Sequence, residues 1–124
     1  MLALTPTTRV YLAAGATDMR KSFNSLAAIV SGTLGRDPTS GHLFAFCNRG
    51  RNRIKVLYWD GSGLWVCAKR LEKGTFAWPD GDARSVEMSR EELVLLVSGI
   101  DLSSARHRRW YRIDAVRSNA QHAD

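Results

Sequence analysis

Between residues 42 and 79 the sequence alternates short apolar segments with breaks too brief for anything but a chain reversal. Residues 42–47, 53–59 and 64–71 are rich in aromatic and β-branched side chains, which fit a pleated, half-buried surface. The breaks between and after them are Asn48-Arg49-Gly50-Arg51-Asn52, Asp60-Gly61-Ser62-Gly63 and Glu72-Lys73-Gly74. A parallel crossover needs about a dozen residues or more, so connections this short join antiparallel neighbours. Residues 75–78 read as a fourth strand, closed by Pro79-Asp80-Gly81-Asp82, and residues 84–88 as an edge strand. An antiparallel meander follows.

Helical patterning lies on either side of it. Residues 9–14 read as a first strand ended by Gly15, after which Thr17 or Asp18 opens a helix by accepting from free N–H groups of the first turn. Met19, Phe23, Leu26, Ala27, Val30 and Leu34 recur at helical spacing, and Gly35 is a stop that adopts the left-handed conformation without steric cost. Further on, Ser89-Arg90-Glu91-Glu92 spells a capping box, with Met88 and Leu93 placed as its hydrophobic staple. Leu93, Leu96, Val97 and Ile100 make the buried stripe of this second helix, and Gly99 permits its exit. The expected fold class is α+β, a mainly antiparallel β-sheet meander with two helices packed on it, both covering one face.

A length of 124 residues suits one compact domain, expected over 1–104, followed by a basic, flexible tail over 105–124 that is partly helical at most. Apolar runs are only a few residues long, far short of the roughly 20 that span a bilayer. The first residues lack the basic and apolar regions of a signal peptide, so a cytoplasmic location without membrane contact is expected. Cys47 and Cys67 lie in apolar segments with no C-x-x-C pair, which reads as two buried free thiols and no structural zinc.

Charge is unevenly spread. Residues 1–79 carry 11 basic and 4 acidic side chains, residues 80–101 carry 2 and 6, and residues 102–124 carry 5 and 2, for a formal net charge of +6. The basic body and tail attract polyanions, while the acidic stretch between them offers a surface to a basic partner. Catalysis finds little support. Asp18, Asp37, Asp60, Asp80 and Asp82 all sit in caps or turns, and His42, His107 and His122 stand apart. H-E-x-x-H, glycine-rich phosphate loops and G-x-S-x-G are missing from the sequence, so no catalytic residue, metal ligand or cofactor is assigned. Nucleic-acid binding has more behind it. Arg49, Arg51, Arg53 and Lys55 crowd one turn and the strand leaving it, and alternation puts the last three on one side. Lys69 and Arg70, near Lys73, close a later strand, and Arg20 with Lys21 stands at the first helix. Trp59, Trp65 and Trp78 supply stacking surface if exposed and core if not.

Thr17-Asp18-Met19-Arg20-Lys21-Ser22-Phe23 resembles the opening T-D-M-R-K-x-F block of the TnpB-type accessory proteins of the insertion-sequence sixty-six group. The likeness continues through Gly41-His42-Leu43-Phe44-Ala45-Phe46. It is densest in Ile54-Lys55-Val56-Leu57-Tyr58-Trp59-Asp60-Gly61-Ser62-Gly63-Leu64-Trp65. Lys69-Arg70-Leu71-Glu72-Lys73-Gly74, then Phe76, Trp78 and Pro79, and finally Leu96-Val97-Ser98-Gly99-Ile100-Asp101 complete it. It spans residues 9–102. Ser22 stands where the family usually has glycine, and residues 47–52 replace a more uniformly basic loop. The resemblance implies a role in transposition beside a separate, larger transposase, and it brings no catalytic residues with it. The expected function is therefore a non-catalytic accessory that contacts DNA through its basic surface. A protein adaptor that binds or activates the transposase without touching DNA is the alternative, and a homo-oligomer is compatible with either.

Overall fold

The computed structural model describes residues 7–80 and 85–98 and, beyond them, a two-residue strand. In chain order the elements are β1 (Arg9–Ala13), α1 (Phe23–Gly32), β2 (Leu43–Cys47), β3 (Arg53–Trp59), β4 (Leu64–Arg70), β5 (Ser85–Ser89), α2 (Arg90–Val97) and β6 (Arg112–Ile113). The strands form one sheet in the order β4-β3-β2-β1-β5-β6. The predicted meander is its left half: β2 pairs antiparallel with β3 from Leu43↔Tyr58 to Cys47↔Ile54, and β3 with β4 from Arg53↔Arg70 to Trp59↔Leu64. Only β1 and β2 run parallel among the described strands, because the connection over 14–42 is long enough to carry α1 back across the sheet. The fold is α+β and mostly antiparallel.

Both faces of this sheet are covered. Tyr11, Ala13, Phe44, Phe46 and Leu57 pack against Leu26, Val30 and Leu34 of the α1 segment. The alternate residues Val10, Leu12, Leu43, Ala45, Ile54 and Val56 pack with Leu93 and Leu96 of α2. The helices therefore lie on opposite faces, not on one face as the sequence suggested. The reason is visible in β2, which is buried at all five positions and needs an apolar cover on each side. Full burial of each large side chain such as Phe44 or Leu57 contributes about 1.5–3 kcal/mol.

Three local expectations are also corrected. The first helix begins at Phe23 with Ser22 as its N-cap, not at Thr17 or Asp18. Asp18 instead makes a tight turn of its own, its carboxylate accepting from the Arg20 N–H at 2.9 Å while its carbonyl accepts from the Lys21 N–H at 3.1 Å. Residues 75–78 are not a strand. That segment crosses the end of the sheet, with the Phe76 N–H donating to the Arg51 carbonyl and the Pro79 carbonyl accepting from Gly15. Phe76 and Trp78 plug the core from below, and the indole of Trp78 donates to the Ala13 carbonyl at 2.9 Å. Finally, β5 is interior rather than an edge, lying between β1 and β6.

The second helix follows its punctuation. Ser89 Oγ accepts from the Glu92 N–H at 3.1 Å, and the Glu92 carboxylate accepts from the Ser89 N–H at 2.8 Å. Met88 and Leu93 both enter the core beneath it. The readings of Gly99, Ile100 and Arg84, and of the 105–124 tail apart from β6, lie outside the described residues. Among the described residues no helix is long and apolar enough to cross a membrane.

Candidate nucleic-acid interface

The parallel pair β1 and β2 ends where β3 begins and β4 finishes, so residues 13–21, 47–55 and 69–80 meet at one end of the sheet. Asn48 organises the turn there. Its Oδ1 accepts from the N–H groups of Asn52 and Arg53, each at 3.0 Å, and its Nδ2 donates to Asn52 Oδ1 at 2.8 Å. Arg51 sits in this turn at φ 62°, the only described non-glycine residue with positive φ. That twist takes it out of the strand alternation. Its guanidinium turns inward to donate to the Gly15 carbonyl at 3.1 Å and to pair with Asp80. Arg51 thus ties three crossing segments together.

Arg53 and Arg70 behave differently. They are direct cross-strand partners at the ends of β3 and β4, both exposed, on the face that carries α1. Like charges in such a position repel. Glu72 offsets part of this by accepting from Arg70 at 3.1 and 3.2 Å, whereas Arg53 has no acidic partner among the described residues. Lys55 shares that face, and its ammonium donates to the Lys21 carbonyl at 2.7 Å, fixing the Asp18 turn to the sheet. Lys69 points to the other face, where its ammonium donates to the Val97 carbonyl at 2.7 Å and so sits at the negative end of α2.

Together Met19, Arg53, Ile54, Lys55, Ala68, Lys69, Arg70 and Glu72 line an open groove of about 600 Å³. Arg53, Lys55 and Arg70 share its face with the Glu72 carboxylate, while Lys69 lines it with its ammonium turned to the α2 side. Of the eight predicted contact residues the groove gathers Arg53, Lys55, Lys69 and Arg70. Lys21 adjoins it through the bond from Lys55, and Arg49 is exposed in the neighbouring turn. Arg51 is turned away, and Arg20, 90% exposed, is clamped on Asp18 with contacts of 2.6–3.1 Å. The Arg20 guanidinium holds the Asp18 carboxyl far below the usual carboxylate range. Met19 and Glu72 were not foreseen as groove residues; the pairing of Glu72 with Arg70 two positions earlier was the available signal.

The remaining polar chemistry is local. Asp37 caps its own turn through Thr39, and Asp60 accepts from Ser62, Gly63 and the Trp65 indole, which holds it down to about 2. Cys47 is buried, and that burial pushes its thiol up to about 11, while Cys67 is half-buried; both are free thiols. Among the described residues no three His, Cys, Asp or Glu side chains converge in a way that could hold a metal ion. Of the three tryptophans considered as stacking surface, Trp78 is core, Trp59 is half-buried and Trp65 is exposed.

Fold and site together define a small α+β domain with a cationic groove at one end of its sheet. The chain belongs to the IS66 Orf2-like family, whose profile matches residues 8–107, the TnpB-type accessory proteins of that group of insertion sequences. It is 42% identical over 93 residues to an uncharacterised Sinorhizobium fredii protein, y4hO, a match covering 75% of this chain and 81% of the relative. A second uncharacterised protein of that organism, y4jC, is 36% identical over 100 residues, covering 81% of this chain and 86% of its own. No solved structure matches. The role of the chain is thus that of an accessory in insertion-sequence transposition.

Proposed function

We propose that this accessory domain acts without catalysis of its own, holding the phosphate backbone of element DNA in the groove between Arg53, Lys55 and Arg70. The observation that carries the reading is the direct opposition of Arg53 and Arg70, a repulsive pair that a bound phosphate would relieve. Arg70 and Arg53 present fork-shaped donors suited to phosphate oxygens, and Lys55 adds a point charge behind them. Arg49, Lys69 and Lys21 extend the positive surface around the groove. The absence of a recognition helix in a helix-turn-helix arrangement among the described residues favours backbone contact over reading of base edges. Support for a non-catalytic role comes from the acids: Asp18, Asp37, Asp60 and Asp80 each bond a neighbouring arginine, hydroxyl or backbone donor.

Fluorescence anisotropy with a labelled duplex tests this. The double variant Arg53→Ala/Arg70→Ala is expected to bind about tenfold or more weakly while keeping the circular dichroism spectrum of the parent. Unchanged affinity removes the groove as the contact surface. Retention of the element's transposase after nuclease treatment, together with no oligonucleotide binding by the parent chain, would favour the adaptor role instead.

A further inference from the structure

Among the described residues the left edge of the sheet is long, regular and uncovered. β4 is paired with β3 at seven consecutive positions without a bulge, and no described residue pairs with its outer side. Edge strands of soluble proteins are usually blunted by proline, a bulge or an inward charge. The central run Trp65-Val66-Cys67-Ala68 has none of these, and its two charges, Lys69 and Arg70, sit together at one end. The edge also adjoins an apolar groove of about 260 Å³, to which α2 contributes Leu93, Val94 and Val97 and β4 contributes Cys67 and Ala68. Val94 in its wall is 62% exposed.

We infer that the partner of this edge is a second copy of the same chain, joined by antiparallel pairing of the two β4 strands about Cys67. The sequence of the strand selects that arrangement. With Cys67 opposite Cys67, Val66 lies opposite Ala68, Trp65 opposite Lys69 and Leu64 opposite Arg70. Each cation then meets an apolar or aromatic residue, and Lys69 faces an indole whose N–H is bonded to the Asp60 carboxylate at 2.7 Å. Parallel pairing would set Lys69 on Lys69 and Arg70 on Arg70, directly opposed and repulsive. On the α2 face, Trp65 of the second copy falls beside Lys69, at the mouth of the apolar groove. The two-fold axis runs through the sheet, so both α1 faces look the same way, with the two Arg70 positions roughly 20 Å apart. This pairing stands independently of the nucleic-acid reading.

Directly opposed residues of antiparallel strands have Cα atoms about 4.5–5.5 Å apart, within the range a disulfide bridges. Mild oxidation with diamide, which takes up the two protons and two electrons released by two thiols, should therefore link Cys67 to Cys67 across the axis. Before oxidation, light scattering should give twice the 13.8 kDa chain mass at tens of micromolar. After it, non-reducing electrophoresis should show a covalent dimer that Cys67→Ser abolishes, since Cys47 is buried and its thiol stays protonated. Amide exchange over residues 64–70 should slow at least tenfold between dilute and concentrated protein, a readout that needs no variant to fold. Cys67→Asp, which would place two carboxylates on the axis, should be monomeric. The inference is overturned by a monomeric mass with exposed β4 amides. It is overturned equally by β4 protection that does not change with concentration, which would mean that another part of the chain covers the edge, or by a dimer whose Cys67 thiols do not couple.

Discussion

Asp60 holds the β3–β4 turn together more completely than any other single residue in it. Its Oδ1 accepts from the Ser62 N–H at 2.9 Å, the Gly63 N–H at 3.0 Å and the Ser62 hydroxyl at 3.1 Å, while Oδ2 accepts from the Trp65 indole at 2.7 Å. These bonds favour the ionised form, the Ser62 N–H foremost, and lower the carboxyl to about 2 from the ordinary 3.8. The sign of the consequence follows. The unfolded chain binds a proton more readily than the folded one, so this carboxylate stabilises the fold fully above about pH 4 and ceases to do so as the pH falls towards 2. Asp18, held down by Arg20, and Asp37, held down by Thr39, act in the same direction. Urea midpoints measured from pH 5 to pH 2 should fall, and Asp60→Asn should remove part of that slope while lowering the midpoint at pH 5. A parallel fall in parent and variant would deny Asp60 this part.

At the scale of elements, α2 is held at both ends by named groups. The Ser89–Glu92 box satisfies donors at its start, and the Lys69 ammonium meets the Val97 carbonyl at its finish. Ser89→Ala should cost about 1 kcal/mol in equilibrium unfolding, read as a lower urea midpoint at unchanged m-value. A loss below about 0.3 kcal/mol would mean that packing of Leu93 and Leu96 alone sets this helix. The box was readable from four consecutive letters because capping is local chemistry. So were β2, β3 and β4, whose alternation and tight turns leave little choice. Residues 75–78 misled for the opposite reason: Phe76 and Trp78 are as apolar as strand residues, but their backbone partners are loops far away in sequence. Arg51 misled likewise. Alternation aligns it with Arg53 and Lys55, yet a positive φ imposed by the Asn48 turn swings it to Gly15 and Asp80. The groove was readable as a set of cations, and the half of them that converge could be known only once the register Arg53↔Arg70 was seen.

For the molecule as a whole, the question is which of two basic regions governs any contact with a polyanion. The groove end of the sheet carries Arg49, Arg53, Lys55, Lys69 and Arg70, and the C-terminal part of the sequence carries Arg106, Arg108, Arg109, Arg112 and Arg117. Deleting residues 105–124 would confuse the two, because Arg112–Ile113 is β6 and pairs with Val86 and Glu87 of β5. Substitution separates them without removing a strand. On duplex DNA each neutralised phosphate contributes about 0.9 to the log–log dependence of affinity on salt. If Arg53 and Arg70 each hold one phosphate, Arg53→Ala/Arg70→Ala should flatten the slope by about 1.8 between roughly 50 and 200 mM salt. Arg106→Ala/Arg108→Ala/Arg109→Ala should then leave the slope within about half a unit of the parent. The converse result, a slope that flattens with the second set and not the first, moves the contact from the sheet to the C-terminal arginines. Equal flattening by both would mean one continuous surface, and in that case the combined variant should lose the two increments additively, since the substituted groups neutralise separate phosphates.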